Sequence, residues 1–287
     1  MTASTRRSQV NPITHTNSVD QRESENFHIL DKAKRVHLLG LDIHNFTMAE
    51  TLAAVGEIVE SRKFAFAVTP NVDHTVKFRK SAQFREFYSK ASLVVADGVP
   101  LLWAARLLGT PLKARINGTD LFERTCEFAA ARGYSVYMLG GSPGAARSAC
   151  QKLVERHPTL KIAGWDCPPF GFYKNAEQNI AIQHKIRGSG ADILFVGLGA
   201  PQQEQWMCDN GEGSGVAFAI GVGVSFSFVG GLIPRAPLWM QRNGLEWLWR
   251  LGKEPKRLWK RYLIEDLPFF GMLLHAMFKK RWVSRQA

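Results

Sequence analysis

The chain has 287 residues, 45% of them hydrophobic, which is enough for one large domain or two closely packed domains with a substantial core. Its 37 Lys and Arg residues outnumber its 25 Asp and Glu residues, and residues 235–287 alone carry 12 basic and 4 acidic side chains. Four widely spaced cysteines without a CxxC pair exclude a disulfide scaffold and indicate a reduced, cytoplasmic protein.

The N-terminal segment is polar over its first 27 positions and lacks the apolar run that a signal peptide needs. We therefore expect a disordered leader over residues 1–34, with the folded body beginning at residue 35.

From residue 35 to residue 234, short apolar runs alternate with segments of helical periodicity. The runs include RVHLLGLDI (35–43), FAFAVTPN (64–71) and LVVADG (93–98). Because these runs are continuously apolar, they are typical of parallel strands that are buried on both faces. We expect an α/β fold with a Rossmann-like, mostly parallel sheet and helices on both faces, spanning residues 35–234.

One segment of this body has the length of a membrane-spanning helix. GVAFAIGVGVSFSFVGGLIP (215–234) contains no charged residue over 20 positions. Its five glycines and its β-rich first half favour a buried strand followed by a glycine-lined loop.

Residues 235–287, called the C-terminal appendage below, have a different character. Five of the eight tryptophans lie here, interleaved with Arg and Lys at helical spacings: Trp239, Trp247, Trp249, Trp259 and Trp282. This pattern predicts a basic, amphipathic helical appendage that docks on anionic lipid. A helix pair packed on the body, with its tryptophans buried there, is the alternative interpretation.

Ligands of open parallel sheets bind beyond the carboxyl ends of the strands, where loops and helix N-termini converge. The predicted strand ends carry Thr69, Asn71, Asp97, Gly140–Ser142, Gly197–Gln203 and Gly221–Ser227. Asp97 directly follows a buried strand, so we expect it to point at the ligand site. A cap for the helix that begins near Pro100 explains the same acid equally well.

Other polar groups also have two interpretations. Asp73 and His74 form either an acid–base pair or the start of a surface helix. Arg115 either binds an anion or braces a loop. GLGAPQQE (197–204) lacks the third glycine of the dinucleotide fingerprint, and no DxD metal motif occurs, so neither a cofactor nor a metal is predicted.

Six stretches together resemble, in order and spacing, the bacterial WecG/TagA/CpsF glycosyltransferases, family 26, over about residues 36–262. They are TPNVDH (69–74), VVADGVP (94–100), RINGTDLF (115–122), GLGAPQQEQW (197–206), GVGVSFSF (221–228) and RAPLWMQRNGLEWLWRLGKEPKRLWKRY (235–262).

The resemblance implies an inverting transfer from a UDP-sugar to a saccharide linked to polyprenyl diphosphate, in cell-surface or exopolysaccharide biosynthesis. The family's sugar is often N-acetylmannosamine, its uronic acid or glucose. The resemblance assigns Asp97 as the general base, Thr69 and Asn71 as sugar or acceptor contacts, and Arg115 and Gln203 to the nucleotide-sugar pocket. It also implies a place on the cytoplasmic membrane's inner, anionic leaflet and no nucleic-acid partner, and it leaves a homo-oligomer open.

An inverting displacement without a DxD motif needs other positive charge at the departing diphosphate. The resemblance assigns this role to the cations Arg250, Arg257, Lys260 and Arg261, of which Lys260 stands where arginine is usual. Ser227 replaces a family carboxylate that faces the nucleotide. This departure affects nucleotide contacts or sugar preference, and it leaves the reaction class unchanged.

Two other classes of function are alternatives. A nucleotide-dependent oxidoreductase shares the alternation of strands and helices, but it needs a complete glycine fingerprint. A non-catalytic basic protein that binds membrane or nucleic acid through its tryptophan-rich appendage is the second. UDP would not raise the melting temperature of such a protein.

Overall fold

The computed structural model describes residues 27–283, so most of the predicted disordered leader, residues 1–26, lies outside the described residues. Within residues 27–34, the short helix α1 (His28–Asp31) places Leu30 in the hydrophobic core. The Ile29 N–H donates to Glu57 Oε2 at 2.9 Å. The ordered body therefore begins upstream of residue 35.

Six parallel strands form the central sheet: β3 (Ala65–Val68), β4 (Leu93–Val94), β5 (Ser135–Gly140), β6 (Lys161–Asp166), β7 (Ile193–Gly197) and β8 (Phe218–Gly221). Their order across the sheet is β4-β3-β8-β7-β5-β6. The predicted α/β fold with a parallel sheet is confirmed. Successive residues of each strand enter two different hydrophobic clusters, because strand side chains alternate between the faces of a sheet.

Helices cover both faces, as predicted. One cluster is completed by α2 (Met48–Ser61), α6 (Gly118–Arg132), α7 (Ala145–Arg156) and α10 (Ser225–Val229). The other is completed by α3 (Val72–Lys80), α4 (Ala82–Lys90), α5 (Val99–Leu107), α8 (Ala176–Ser189) and α9 (Gln202–Asn210). Strands β3, β4, β5, β7 and β8 are therefore buried on both sides, which accounts for their continuous apolar sequences. The edge strand β6 is more open, with Lys161 and Trp165 exposed.

The first apolar run forms a hairpin where the sequence analysis had placed one strand. Strands β1 (Arg35–Leu38) and β2 (Leu41–His44) pair antiparallel in a separate two-stranded sheet. The chain reverses at Leu39 and Gly40, which have φ values of 52° and 97°. Gly40 adopts this conformation without steric cost. Because apolar residues flank it on both sides, the sequence pattern does not indicate the turn.

The uncharged segment 215–234 contains the predicted buried strand, β8, and the predicted glycine-lined loop, and it also contains α10, which the sequence pattern did not indicate. Among the residues that the structure describes, no helix is long and apolar enough to cross a membrane. Phe226 of α10 is fully buried, and its ring lies against Phe122 with centroids 5.4 Å apart. A Cβ atom added at Gly197 would lie 2.7 Å from the Phe226 ring, so this ring packs directly beneath the loop after β7.

The described part of the C-terminal appendage is helical. It comprises α11 (Leu238–Arg242), α12 (Glu246–Lys253), α13 (Pro255–Lys260), a π-helical segment (Arg261–Glu265) and α14 (Pro268–Val283). Met240, Leu258 and Phe269 are buried and fasten it to the body.

The tryptophans of the appendage are not the main residues that attach it to the body. Trp239, Trp247 and Trp259 are exposed, and Trp249 is half-buried with its Nε1–H donating to the Pro234 carbonyl at 3.2 Å. The side chain of Trp282 lies outside the described residues. The interpretation that these tryptophans are buried in the body is wrong for Trp239, Trp247 and Trp259, whereas Trp249 is partly buried against it.

Replacing Phe226 by Ala is expected to lower the free energy of unfolding by about 3–5 kcal/mol, because it leaves a cavity beneath the loop after β7. Chemical denaturation measures this loss. The control Phe278→Ala, at an exposed position of α14, should change stability by less than about 0.5 kcal/mol. Equal stability of the two variants would contradict the packing described above.

Candidate functional site

A cavity of about 1430 Å³ opens at the carboxyl ends of the strands. Loops after all six strands of the central sheet contribute to its wall, and the appendage forms the opposite side. The residues predicted for the catalytic and substrate-binding site lie together here: Thr69, Asn71, Asp97, Arg115, Gln203 and Ser227. The loop after β6, residues 167–173, also lines the cavity and was not predicted, because its Pro, Gly and aromatic residues carry no recognisable chemical motif.

Asp97 is half-buried in this wall and does not cap α5. That helix has Gly98 at its N-cap without a side-chain hydrogen bond, so the capping interpretation is wrong. Instead, Asp97 Oδ2 accepts from the Gly118 N–H at 3.3 Å, and Oδ1 accepts from Asn117 Nδ2 at 3.1 Å. These donors mark the start of α6, where the helix dipole favours a negative charge.

The environment of Asp97 makes it a stronger base than an ordinary aspartate. Burial is the largest influence and raises its pKa to about 6, although the Gly118 N–H and the nearby Arg115 charge act in the opposite direction. The group is therefore ionised at neutral pH while it retains appreciable affinity for a proton. Each oxygen uses one acceptor position, so capacity remains for a substrate hydroxyl.

Thr69 lies beside Asp97 across Gly118. A Cβ atom at Gly118 would lie 3.5 Å from Thr69 Oγ1 and 3.7 Å from Asp97 Oδ2, so the glycine keeps this space open. Asn71 also lines the cavity, and its side-chain oxygen accepts from the His74 N–H at the start of α3. The two polar residues thus border the carboxylate from the neighbouring strand end.

Gln203 and Ser227 belong to the glycine-rich part of the wall. Gln203 is buried, and its Oε1 accepts from the Gly223 N–H at 3.1 Å, which holds the loop after β8. The hydroxyls of Ser227 and Ser142 are hydrogen-bonded at 3.1 Å. This part of the cavity therefore presents backbone and neutral hydroxyl groups.

Arg115 braces the appendage from within the wall. One of its guanidinium nitrogens donates to the Gln241 carbonyl at 2.9 Å, and another lies 3.8 Å from Asp120. Arg235 of the appendage reaches the same Asp120 at 2.6 Å. These contacts agree with the bracing interpretation of Arg115, and its side chain also borders the cavity, where it could meet an anion.

Three of the four predicted appendage cations reach the cavity: Arg250, Arg257 and Arg261. Arg250 lies over the Phe228 ring at 5.8 Å, and Arg257 pairs with Glu254 on its own helix. Lys260 does not line the cavity, since its side chain is 67% exposed and lies 3.8 Å from Glu265.

Comparison with known proteins shows to which family this chain belongs. A model of the Glycosyl transferase WecG/TagA/CpsF family matches residues 36–283. The chain belongs to this family. It is therefore a glycosyltransferase, and the oxidoreductase and non-catalytic interpretations are wrong.

Similar curated proteins bear the name N-acetylglucosaminyldiphosphoundecaprenol N-acetyl-beta-D-mannosaminyltransferase. The one from Bacillus spizizenii is 30% identical over 71% of this chain and 77% of its own length. The one from Bacillus subtilis strain 168 is 29% identical over 69% and 75%, respectively. The one from Staphylococcus aureus strain MW2 is 26% identical over 82% and 90%.

A buried ionic cluster joins the body of this transferase to its appendage. Asp73 bonds Lys77 at 2.6 Å and Arg261 at 3.2 Å. Although burial alone would raise its pKa, the charges of Arg261 and Lys77 hold the pKa of Asp73 below its usual value. His74 is also buried, and burial lowers its pKa to about 3 while its Nδ1 hydrogen-bonds the Tyr88 hydroxyl at 2.8 Å. These residues do begin a helix, as one interpretation expected, but this helix start is buried and does not lie at the surface.

Two more acids lie near this cluster. Burial raises the pKa of Glu204 to about 7 and that of Asp266 to about 6, and one carboxyl oxygen of each has no hydrogen-bond partner. Across residues 27–283, no three His, Cys, Asp or Glu residues are arranged to hold a metal ion.

The Asp97→Asn variant is expected to be more stable than the wild type at about pH 8 and equally stable at about pH 4. The folded pKa of about 6 exceeds the ordinary value of 3.8, so the folded state binds the proton more tightly and loses stability as pH rises between these values. Asparagine stays neutral and escapes this loss.

Thermal unfolding across this pH range measures the difference, with Asp209→Asn at an exposed position of α9 as the matched control. A variant less stable than the wild type at about pH 8 would show that the Asp97 charge supports the fold through the start of α6.

Proposed function

We propose that this transferase moves a sugar from a UDP-sugar to a saccharide linked to polyprenyl diphosphate, with inversion at the anomeric carbon. The observation that carries the proposal is Asp97, a carboxylate of raised pKa with spare acceptor capacity in the wall of a large strand-end cavity. The curated relatives support it, because their name describes transfer of N-acetylmannosamine to N-acetylglucosaminyldiphosphoundecaprenol.

In the proposed reaction, Asp97 takes the proton from the attacking hydroxyl of the acceptor. The hydroxyl oxygen forms a bond to the anomeric carbon while the bond from that carbon to the diphosphate oxygen breaks, and its electron pair leaves with UDP. Thr69 and Asn71 border the same space and position the sugar or the acceptor. A single base on the acceptor side is sufficient for an inverting displacement.

Charge that develops on the departing diphosphate needs a positive environment. Arg250, Arg257 and Arg261 supply it from the appendage wall. Arg261 is held by Asp73, whereas Arg257 has a partner only on its own helix and is 60% exposed, so Arg257 reorients toward a ligand at lower cost. This arrangement assigns to arginines the role that a DxD-bound metal has in other glycosyltransferases.

The sugar is proposed to be N-acetylmannosamine, its uronic acid or glucose, with N-acetylmannosamine favoured by the names of the relatives. Ser227 stands where the family usually has a carboxylate. Because it bonds Ser142, this position offers the donor a neutral hydroxyl pair. The role in cell-surface or exopolysaccharide synthesis follows from the proposed acceptor.

Membrane attachment through the appendage is part of the proposal. On α14, Phe269 faces the body while Phe270, Leu274 and Phe278 are exposed. These apolar groups, together with the surrounding basic residues, suit an anionic lipid surface in which the polyprenyl acceptor is anchored. We place the transferase on the inner face of the cytoplasmic membrane.

Asp97→Asn is expected to lower the transfer rate by about 10² to 10⁴-fold while UDP binding is retained, because a positioned base is removed. In the wild type, kcat/KM should fall about tenfold per pH unit below about pH 6, since the base must be ionised. Product mass from UDP-sugars and a short-chain lipid diphosphate acceptor gives the rate, and calorimetry gives the binding. Turnover of the variant near the wild-type rate would remove Asp97 from the mechanism.

The double variant Leu274→Ser/Phe278→Ser is expected to bind anionic liposomes about tenfold more weakly, because two exposed apolar groups no longer insert. Ile180→Ser, at an exposed position of α8, is the matched control. Sedimentation at increasing salt measures both variants, and binding of the wild type should weaken by screening. If the double variant pellets like the wild type, α14 is not the membrane-binding element.

A further inference from the structure

Phe170 lies in the loop after β6 and is 96% exposed, more than any other large apolar side chain of residues 27–280. It nevertheless belongs to the wall of the catalytic cavity. Its one ring contact is with Tyr173, edge to face, with centroids 6.1 Å apart. The phenyl faces are therefore open to whatever enters the cavity.

The backbone of the loop is restrained on both sides of Phe170. Cys167 Sγ hydrogen-bonds the Gly141 carbonyl at 3.3 Å, which ties the loop to the neighbouring strand end. On the other side of Phe170, Phe172 is buried and its N–H donates to the Pro169 carbonyl at 3.1 Å. Two consecutive prolines precede Phe170 and restrict the backbone further. An open aromatic face on a restrained loop is typical of a prepared stacking surface.

Polar groups suited to the edge of a planar ligand lie on the adjacent loop. Gly141, which holds Cys167, is followed by Ser142, whose hydroxyl bonds that of Ser227 at 3.1 Å. Each hydroxyl can donate or accept one further hydrogen bond. Gly140 and Gly141 carry no side chains, so a ligand approaches the backbone closely there.

We propose that Phe170 is the stacking platform for the pyrimidine base of the nucleotide donor, with the Ser142 and Ser227 hydroxyls at the edge of that base. Bases stack on aromatic side chains irrespective of sequence, whereas hydroxyls at the ring edge add selectivity. This inference rests on the proposed function, because it assumes a nucleoside diphosphate sugar as donor.

The sheet order accounts for the orientation of that donor. Asp97 follows β4 at one edge of the sheet, and Phe170 follows β6 at the opposite edge. In the proposed reaction the acceptor hydroxyl contacts Asp97 and the anomeric carbon lies next to that hydroxyl, so the diphosphate extends toward the middle strands and the base lies toward the β6 end. The loops after β8 and β7, with Gly223 and Gln203, lie between the two ends.

The test is calorimetric titration of the full-length protein and its variants with UDP. Phe170→Ala and Phe170→Leu are expected to raise the Kd about tenfold, because both remove the aromatic face. Phe170→Trp should bind UDP within about twofold of the wild type, since stacking is kept. Trp165→Ala, at an exposed aromatic on β6 outside the cavity wall, is the matched control and should bind like the wild type.

An unchanged Kd for Phe170→Ala would overturn the inference. Full affinity in Phe170→Leu, or equal loss in Phe170→Trp and Phe170→Ala, would also overturn it, because an aromatic face would then not be what binds. If the wild type binds UDP and only these comparisons fail, the proposed function stands without the stacking platform. Absence of UDP binding by the wild type would overturn both.

Discussion

The carboxylate of Asp97 must be poorly solvated and still ionised, and this requirement constrains the rest of the site. Additional hydrogen-bond donors would lower its pKa and make it a weaker base, whereas fewer donors would leave it protonated at neutral pH. Two donors at the start of α6, the Gly118 N–H and the Asn117 amide, give an intermediate result with a pKa of about 6. Gly98, with φ of 107°, lets the chain turn into α5 without covering the carboxylate.

One ion pair and one charge-assisted hydrogen bond hold the appendage against the body in a defined register. Arg261 pairs with Asp73 of the body at 3.2 Å, and Arg115 of the body donates to the Gln241 carbonyl at 2.9 Å. A buried ion pair adds little net stability, but removing one partner of either contact leaves an uncompensated charge. They therefore fix position more than they stabilise, and they keep Arg257 beside the proposed diphosphate site. In this arrangement the element proposed to bind the membrane also completes the cavity.

Much of this site could be predicted from local pattern, because a polar residue at the end of a buried strand needs no knowledge of distant contacts. This local pattern indicates Asp97 and Thr69. The Asp73–Arg261 pair joins segments far apart in sequence, so no local signal indicates it. Lys260 matches a motif position, but the cavity is lined by Arg257 and Arg261, which are four residues apart, while Lys260 between them is exposed. The hairpin at Gly40 was hidden within a single apolar run.

The charge balance of the cavity gives a physical reason for Ser227. Besides Asp97, the acids Asp73, Glu246, Glu254 and Asp266 line the wall, while the proposed donor carries a diphosphate. The carboxylate that the family usually has at this position would add one more negative charge to this wall, and a buried carboxylate without a partner would tend to bind a proton. The Ser142–Ser227 pair retains hydrogen-bonding capacity there without adding charge. Recognition at this end of the cavity then depends on neutral contacts, which increases the importance of the exposed aromatic face beside them.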